Sequence, residues 1–335
     1  MRFEFYQDGL LDVPKLSVDG TVDNSIHFSH WQGNKTPADV KADTSTEIAL
    51  NVVDSPDREM LTQGITLVTN NHFDTDGVLS VWTMLTGDPA LEYRDLLIAA
   101  AEAGDFSEFS SETAVKISLA IQGSDSPEPG EPTGSPLANR LEGHAVTDNA
   151  REYELVLHEI PRLLADVGPY ELLWRHPWER IERALASFAR GDSTVFEDLN
   201  GDVSVVVLAP SVFSPSGFKP TRHSAPFTAI SHHAHGRFFV IATPAEGGWI
   251  YRLDYPYYSW AETVVRPRIS RSDLTGALAR LNELEGEASG QWKLDESEMT
   301  SAAKFMGIDG GPASSRLTPD AVGTLIRSEL TGTGA

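Results

Sequence analysis

The sequence predicts an α/β protein with two domains. Residues 1–190 are expected to form a mainly parallel sheet with flanking helices, and residues 191–335 a smaller α/β or α+β domain. Short strand patterns alternate with helical patterns in the first part, which is typical of a parallel α/β sheet. From about residue 193 the pattern changes to strand-like segments such as VSVVVLAP and GRFFVIAT. We therefore place the domain boundary near residue 191.

The elements of the first domain follow from local signals. Thr44-Ser45-Thr46-Glu47 has the spacing of a capping box and predicts a helix that continues to Val53. The Pro-, Gly- and Ser-rich stretch 123–136 is interpreted as an exposed loop. Three strands are predicted in this domain: Lys15–Val18, Ile26–Ser29 and Ile65–Thr69. Further helical patterns cover residues 78–85, 91–104, 111–122 and 148–190.

The second domain and the helical region before it are punctuated by prolines and glycines. Within residues 148–190 we expect breaks at Pro161, at Gly168-Pro169 and at Pro177. Beyond the boundary, strand patterns are followed by two amphipathic helical patterns. The predicted strands are residues 203–210, 236–243 and 248–255, and the predicted helices are residues 270–287 and 318–330.

The composition limits the classes of function. The chain has 335 residues, and 49 aspartates and glutamates against 26 lysines and arginines give a formal net charge of −23. A field of this sign repels long nucleic acids, so we expect no such partner. The absence of cysteine excludes disulfides, thiolate nucleophiles and zinc–thiolate sites. There is no run of about 18 apolar residues, so we expect no membrane span and a cytoplasmic protein.

One stretch places titratable residues directly behind a predicted strand. In ITLVTNNHFDTDG, the strand is followed by His72, Asp74 and Asp76, at the edge where open α/β sheets place their sites. The three residues alternate, so in extended backbone they would point to one side, and Gly77 would allow a sharp turn. Such groups repel one another and desolvate badly, which indicates a cation among them. An imidazole with two carboxylates suits Mn²⁺ or Mg²⁺.

Other segments offer further ligands for the same edge. Asp19 follows the first predicted strand, His30 follows the second, and Asp105 ends an apolar helical run. If these residues converge on His72, the set is large enough for two divalent ions. Two such ions can share a bridging hydroxide and offset the charge that builds on a phosphoryl group.

The segment NNHFDTDGVLS resembles the first motif of the DHH phosphoesterase superfamily, in which a strand leads to His-x-Asp-x-Asp-Gly and then to a serine. The match consists of His72, Asp74, Asp76, Gly77 and Ser80. Three further segments resemble the second, third and fourth motifs: LSVDG with Asp19, IHFSHWQGNKTP with His30, and LLIAAAEAGDFSEF with Asp105.

The resemblance implies a metal-dependent phosphoesterase with two Mn²⁺ or Mg²⁺ ions. Its substrate would be a phosphodiester or phosphoanhydride in a small phosphorylated molecule or a short oligonucleotide. Two features depart from the family. Ser29-His30-Trp31 stands where the family has Asp-His-His, and the second and third motifs precede the first, which requires a permuted domain. The implied metal ligands, the first four also catalytic, are His72, Asp74, Asp76, His30, Asp19 and Asp105.

Two alternatives stay open. FDTDGVL also resembles the first motif of haloacid-dehalogenase-type phosphatases, in which Asp74 would be the nucleophile and Asp76 the acid/base, with one Mg²⁺. That motif normally follows its strand directly, whereas Asn70-Asn71-His72 intervene here. The non-enzymatic alternative is an inactive metal-binding or scaffold protein, since two residues of the DHH motif are replaced. Aspartates at a strand-to-helix turn can also simply cap the helix.

Two segments of the second domain supply candidate substrate-binding residues. SHHAHG contains His232 and His233, and VVRPRISR contains Arg266 and Arg268 in a chain poor in cations. Because arginine forks match phosphate oxygens, we expect these residues to hold the substrate phosphate. Surface histidines and structural salt bridges are the alternatives. The aromatic run YPYYSW before the arginines is interpreted as core packing.

Overall fold

The computed structural model describes residues 1–124, 127, 133–197, 200, 202–212, 225–286, 290–295, 299–311 and 313–332, so half of the predicted loop 123–136 lies outside the described residues. The chain divides into two compact units. The first unit comprises Met1–Trp178 and Trp260–Arg268, and the second comprises Glu179–Ser259 and Ile269–Ala335. The sequence places the boundary near residue 191, whereas the structure divides the chain between residues 178 and 179 and returns residues 260–268 to the first unit.

Among the described residues, the first unit has a four-stranded sheet that is parallel throughout. Strand β2 is buried along its whole length, as are Val68 of β4 and Phe28 of β3, which a sheet covered on both faces requires. Because all strands run in the same direction, the residues that follow them gather at one edge. The strands are β1 (Arg2–Phe3), β2 (Lys15–Val18), β3 (Ser25–Phe28) and β4 (Leu67–Thr69), in the order β1-β4-β2-β3.

The return from β2 to β3 is unusually short. It uses only residues 19–24, where a parallel crossover normally needs about a dozen or more. The first and last of these residues, Asp19 and Asn24, adopt left-handed backbone conformations with φ of 64° and 52°. Asp and Asn tolerate this conformation better than other non-glycine residues. The tight return therefore fixes Asp19 immediately beyond the end of β2.

Helices α1, α3 and α4 pack against one another, and α3 also contacts the strands β1, β2 and β4. Almost all of α3 is buried. The predicted cap of α1 is confirmed, since the Thr44 hydroxyl accepts a hydrogen bond from the Glu47 amide at 3.2 Å. The helices are α1 (Ser45–Asp54), α2 (Arg58–Thr62), α3 (Thr75–Thr86), α4 (Arg94–Asp105), α5 (Glu112–Ile121), α6 (Pro136–Glu142), α7 (Asn149–Val156) and α8 (Ile160–Ala165).

The next helix, α9 (Glu171–Ala189), runs through Pro177, where the sequence predicts a break. That expectation is wrong. An interior proline removes one backbone hydrogen bond and crowds the preceding turn. Here Trp174, Trp178 and Ile181 bury one face of the helix at helical spacing, and this packing outweighs the local cost.

The second unit has a mixed sheet of six strands within the described residues, in the order β5-β6-β7-β8-β10-β9. Of the strand pairs that the structure describes in this sheet, only β6 with β7 is parallel. Its core is built from both the sheet and two helices, with Val240, Leu253, Phe305 and Ile326 fully buried. The elements are β5 (Thr194–Glu197), β6 (Val203–Val207), α10 (Phe227–Ser231), β7 (Phe238–Ala245), β8 (Gly248–Asp254), α11 (Thr275–Glu285), β9 (Gly290–Leu294), β10 (Ser301–Gly307) and α12 (Pro319–Gly332).

The predicted alternation of strands and helices is thus confirmed at the level of fold class. Strand β2 has the predicted bounds, and β3 differs from its prediction by one residue. Among the helices that the structure describes, none combines the length and the apolarity that crossing a bilayer requires.

Candidate metal centre

The structure brings together all six side chains that the sequence names as metal ligands. Three of them follow β2, β3 and β4, because these parallel strands end at the same edge. The other three lie at helix ends: the N-cap and first turn of α3, and the last residue of α4. The six residues are Asp19, His30, His72, Asp74, Asp76 and Asp105.

The candidate ligand atoms form two groups that share Asp19. Within each group, the ligand atoms lie within 4.8 Å of one another. The Oδ1 atom of Asp19 lies 3.5 Å from Nε2 of His30, and its Oδ2 atom lies 2.8 Å from Nε2 of His72. One carboxylate thus faces both groups, as a carboxylate that bridges two ions would. We name them the inner group (Asp19, His30, Asp76 and Asp105) and the outer group (Asp19, His72 and Asp74).

The inner group is buried and centred on His30. Nε2 of His30 lies 3.5 Å from Oδ2 of Asp76 and 3.2 Å from Oδ2 of Asp105, yet it makes no hydrogen bond. Nδ1 of His30 lies 2.6 Å from the backbone oxygen of Asp43. Since a carbonyl oxygen can only accept, Nδ1 carries the proton, which leaves Nε2 as the atom that can bind a metal. This is the outer-shell arrangement that ligating histidines usually have.

The outer group repeats this arrangement in a more open place. Nδ1 of His72 lies 2.9 Å from the side-chain oxygen of Asn71, and Nε2 lies 3.1 Å from Oδ2 of Asp74. Nε2 is again buried without a hydrogen bond. The side chains of His72 and Asp74 are 27% and 26% exposed, whereas those of Asp19 and His30 are fully buried. A ligand from solvent would therefore reach the outer group first.

Backbone amides at helix N-termini hold the carboxylates. The two oxygens of Asp76 accept hydrogen bonds from the amides of Ser45 and Thr46 at the start of α1, each at 2.7 Å. Oδ1 of Asp74 accepts from the amide of Gly77, also at 2.7 Å. The capping role that the sequence allows for these aspartates is therefore real for Asp74. Capping fixes the carboxylate and leaves its second oxygen facing the cluster.

Two local expectations for this stretch are wrong. Gly77 lies in the first turn of α3 without a positive φ, so it does not provide a sharp turn. It is required because a Cβ there would lie 2.5 Å from Nδ2 of Asn70, 2.7 Å from the Tyr153 hydroxyl and 3.0 Å from Oδ2 of Asp19. The alternation of aspartates also does not apply, because the helix has already begun at Thr75. Asp76 therefore joins the inner group rather than the outer one.

The crowding of charge shifts the pKa values of the cluster. Burial lowers the pKa of both imidazoles, but the carboxylates around them outweigh burial and raise the pKa of His30 to about 10 and that of His72 to about 12. Burial raises the pKa of Asp76 to about 6 and also raises the pKa of Asp105. Burial opposes ionisation of Asp19, yet His72 lowers its pKa to about 2. Carboxylates packed this closely require positive charge beside them.

Aromatic rings border both groups, and the sequence gives little sign of this. The ring of Trp31 lies 5.3 Å from that of His72, and the ring of Trp260 lies 4.9 Å from that of His30. The indole N–H of Trp31 is buried and has no acceptor. Trp260 ends the run YPYYSW, which the sequence assigns to core packing, and it belongs to the first unit. In the sequence, the only sign of Trp31 is that it stands where the DHH motif has its second histidine.

The structure gives Arg266 partners other than those expected. Its guanidinium is bonded to the carboxylates of Asp43, Glu102 and Glu108, and the side chain is only 17% exposed. These contacts favour the structural salt bridges that the sequence leaves as the alternative, and binding of the substrate phosphate by Arg266 stays a prediction. Arg266 also lies in the first unit rather than the second domain.

The contacts of the other predicted substrate-binding residues neither support nor exclude that role. Arg268 is exposed in the first unit. His232 is exposed in the second unit, where the ring of His233 stacks on Phe188 with centroids 4.5 Å apart. Burial lowers the pKa of His233. A role of these three residues in substrate binding stays a prediction.

Comparisons with known proteins give one finding. A family model with the description "Family of unknown function (DUF6687)" matches residues 2–308. No curated protein and no solved structure matches the chain. The matched range covers nearly all of the chain and includes every residue of both ligand groups.

Proposed function

We propose that this chain, which belongs to the DUF6687 family of unknown function, is a metal-dependent phosphoesterase with two Mn²⁺ or Mg²⁺ ions. Its substrate would be a phosphodiester or phosphoanhydride in a small phosphorylated molecule. The observation that carries the proposal is the shared carboxylate of Asp19, whose two oxygens face the histidines of the inner and the outer group. Adjacent ligand groups with a common carboxylate are what a pair of ions needs.

The residues present fit divalent ions. His72 and His30 each direct a buried Nε2 atom at carboxylate oxygens. The raised pKa of each imidazole shows that positive charge is favoured at this point, and a divalent ion that replaces the Nε2 proton would supply it. Four carboxylates and two neutral imidazoles balance two divalent ions in formal charge. This mostly oxygen donor set favours Mn²⁺ or Mg²⁺ over metals that prefer thiolates. The same pattern supports the layout that the resemblance to DHH phosphoesterases implies.

The inner group would hold one ion away from solvent, and the outer group would hold the ion that meets the substrate. When bound, the ion pair would supply a hydroxide nucleophile at neutral pH and offset charge that develops on the phosphoryl group. The protein contributes position, since amides of α1 and α3 fix the carboxylates of Asp76 and Asp74. The free indole N–H of Trp31 beside His72 supports a further contact to a substrate oxygen.

The first test is metal stoichiometry in the purified, chelator-treated chain. Isothermal titration with Mn²⁺ is expected to show two ions per chain. Asp19→Asn should lose both, because it removes the shared charge while keeping a residue that accepts a left-handed backbone. His72→Gln should lose the outer ion and Asp105→Asn the inner one. The matched control is Asp23→Asn, since Asp23 is exposed in the same β2–β3 return and should leave binding unchanged.

The second part of the test is turnover with added Mn²⁺ on bis(p-nitrophenyl) phosphate and p-nitrophenyl phosphate. The three ligand variants should each lower kcat/KM by about 1,000-fold, since metal assistance contributes several kcal/mol. Activity that is abolished by Asp74→Asn but unaffected by His72→Gln would instead identify the aspartyl-phosphate route. Two bound ions without turnover on any phosphoester would indicate a metal-binding scaffold and contradict the proposal.

A further inference from the structure

We infer that Arg266 is a positioning residue for the inner group and acts on His30 through Asp43. The inference rests on the proposed function, in that the group being positioned is the proposed inner metal site. It assigns Arg266 a role different from phosphate binding, and it makes the segment 260–268 a structural part of the site.

The first step is how tightly Asp43 is bound to that segment. Its Oδ1 atom accepts hydrogen bonds from the amides of Val264 and, at 2.8 Å, Val265. Its Oδ2 atom accepts from the amide of Arg266 at 3.0 Å and from the guanidinium at 2.8 Å. Three consecutive amides converge on one side chain that is 2% exposed. The carboxylate therefore has a single position, and its pKa is lowered by these hydrogen bonds even though burial opposes this.

The second step is how Arg266 is itself held. Nε donates to Oε1 of Glu108 at 2.8 Å, and Nη2 donates to Oε1 of Glu102 at 2.6 Å. The guanidinium carbon lies 4.9 Å from the ring centre of Phe106. Glu102 belongs to α4, the helix that ends in Asp105, so Arg266 links that ligand's helix to Asp43. Charge-assisted bonds in a half-buried place are strong and directional.

The third step is the contact with the candidate ligand. The backbone oxygen of Asp43 accepts the proton of Nδ1 of His30 at 2.6 Å, so the position of Asp43 sets both the tautomer and the ring orientation. From the same segment, the ring of Trp260 packs edge-on against the imidazole, with centroids 4.9 Å apart and planes at 78°. The segment thus fixes His30 from two directions.

The experiment uses the full chain and three variants. In Arg266→Gln, the affinity of the inner site for Mn²⁺ should fall by about 10–100-fold, as is usual for outer-shell changes, while the outer site should keep its affinity. Arg266→Lys keeps one charged donor and should give an intermediate loss. Arg183→Gln, which changes an exposed arginine of α9, should leave the affinity of both sites unchanged. Titration calorimetry with Mn²⁺ and the visible spectrum of the Co²⁺-loaded chain report binding without relying on turnover.

A second readout needs no metal. The Nδ1 proton of His30 should give a slowly exchanging downfield resonance in proton NMR, identified by its loss in His30→Gln. In Arg266→Gln this proton should exchange at least about 10-fold faster, and Asp43→Asn, which keeps the backbone oxygen and the volume, should do the same. Unchanged exchange together with unchanged inner-site affinity in Arg266→Gln would overturn the inference. If the wild-type chain binds no metal, but the Nδ1 proton still exchanges faster in Arg266→Gln than in the wild type, the proposed function is refuted and the positioning role of Arg266 stands.

Discussion

Asp19 combines three properties that rarely occur together in one residue. Its side chain is fully buried, its backbone is left-handed, and its two oxygens face different histidines. Burial of a carboxylate and a left-handed non-glycine conformation each cost free energy, and such costs persist where the surrounding structure requires them. Packing alone does not require a buried carboxylate or a left-handed non-glycine residue at this position. Because Asp19 carries both free-energy costs, we expect it to have a functional role.

Gly77→Ala tests, at the scale of a single methyl group, how closely the site is packed. In an open helix this change would stabilise the chain by up to about 1 kcal/mol. Here the new Cβ would lie 2.5 Å from Nδ2 of Asn70 and 2.7 Å from the Tyr153 hydroxyl, so we expect destabilisation by about 1–3 kcal/mol. Urea unfolding measures it. Mn²⁺ affinity should fall as well, because Asn70 lies 3.5 Å from Oδ2 of Asp19.

The matched control for that change is Gly9→Ala. Gly9 has no neighbour within 4 Å of the added Cβ and no positive φ. Its stability and Mn²⁺ affinity should stay within about 0.5 kcal/mol of the wild-type values, as for most surface changes. Wild-type behaviour of Gly77→Ala in both measurements would show that the site can shift to accept the methyl group.

Among the elements, β2 depends on an unusual buried lysine at its first position. Lys15 is fully buried, and Nζ donates to the backbone oxygens of Leu10 at 2.9 Å, and of Leu11, Val13 and Asn24 at 3.2 Å each. Burial lowers its pKa. The ammonium joins the chain before β2 to the end of the β2–β3 return. Removing it would deprive the carbonyl oxygens of Val13 and Asn24 of this donor, at a cost of about 1–3 kcal/mol each. The oxygen of Leu10 keeps the Val13 amide at 3.1 Å, and that of Leu11 keeps the Asn24 side-chain amide at 3.2 Å.

We therefore expect Lys15→Met, which keeps the length of the side chain, to lower the free energy of unfolding by about 2–4 kcal/mol. Chemical denaturation followed by circular dichroism measures the change. Lys35→Met, at an exposed lysine, is the control and should be nearly neutral. A stable Lys15→Met variant would show that water or backbone adjustment satisfies these carbonyls.

The sequence predicted the elements that carry the site better than it predicted their geometry. The strand β2 and the cap of α1 could be predicted because apolar periodicity and a capping residue are local signals in the sequence. The convergence of Asp19, His30 and Asp105 on His72 was predicted from strand ends and from a resemblance, and the structure places them together. The division of the ligands into inner and outer groups could not be predicted from the sequence. It depends on where α3 begins, one residue before Asp76, which turns Asp76 away from His72.

The roles of Asp43 and Arg266 were also beyond the sequence. Local patterns give no sign that a carboxylate at residue 43 meets three amides more than 200 residues later in the chain. For the arginines on either side of Pro267, the sequence leaves phosphate binding and structural salt bridges both open, because an arginine fork suits phosphate and carboxylate oxygens equally. Only the tertiary contacts decide between these two partners, and they show carboxylates.

At the scale of the whole molecule, the net charge of −23 and the buried cluster have the same consequence. Both disfavour the folded chain electrostatically, and both are relieved by bound cations. A site made of buried carboxylates from α3, from α4 and from the residue after β2 exists only in the folded state. If the proposed ions bind, metal binding and folding of the first unit are coupled, and we expect the free energy of binding to add to the stability of the fold.

This coupling predicts that removal of metal lowers the thermal stability of the chain. At a free Mn²⁺ concentration of about 100 times Kd, each site adds about 2.7 kcal/mol, which corresponds to a rise in Tm of about 5–10 °C per site. Calorimetric unfolding with Mn²⁺ and with EDTA measures the shift. Asp19→Asn should unfold at the same temperature in both solutions, since both groups lose their common ligand. A wild-type Tm that ignores Mn²⁺, or an Asp19→Asn variant that responds as the wild type does, would place the bound ions elsewhere and remove the coupling between this cluster and the fold.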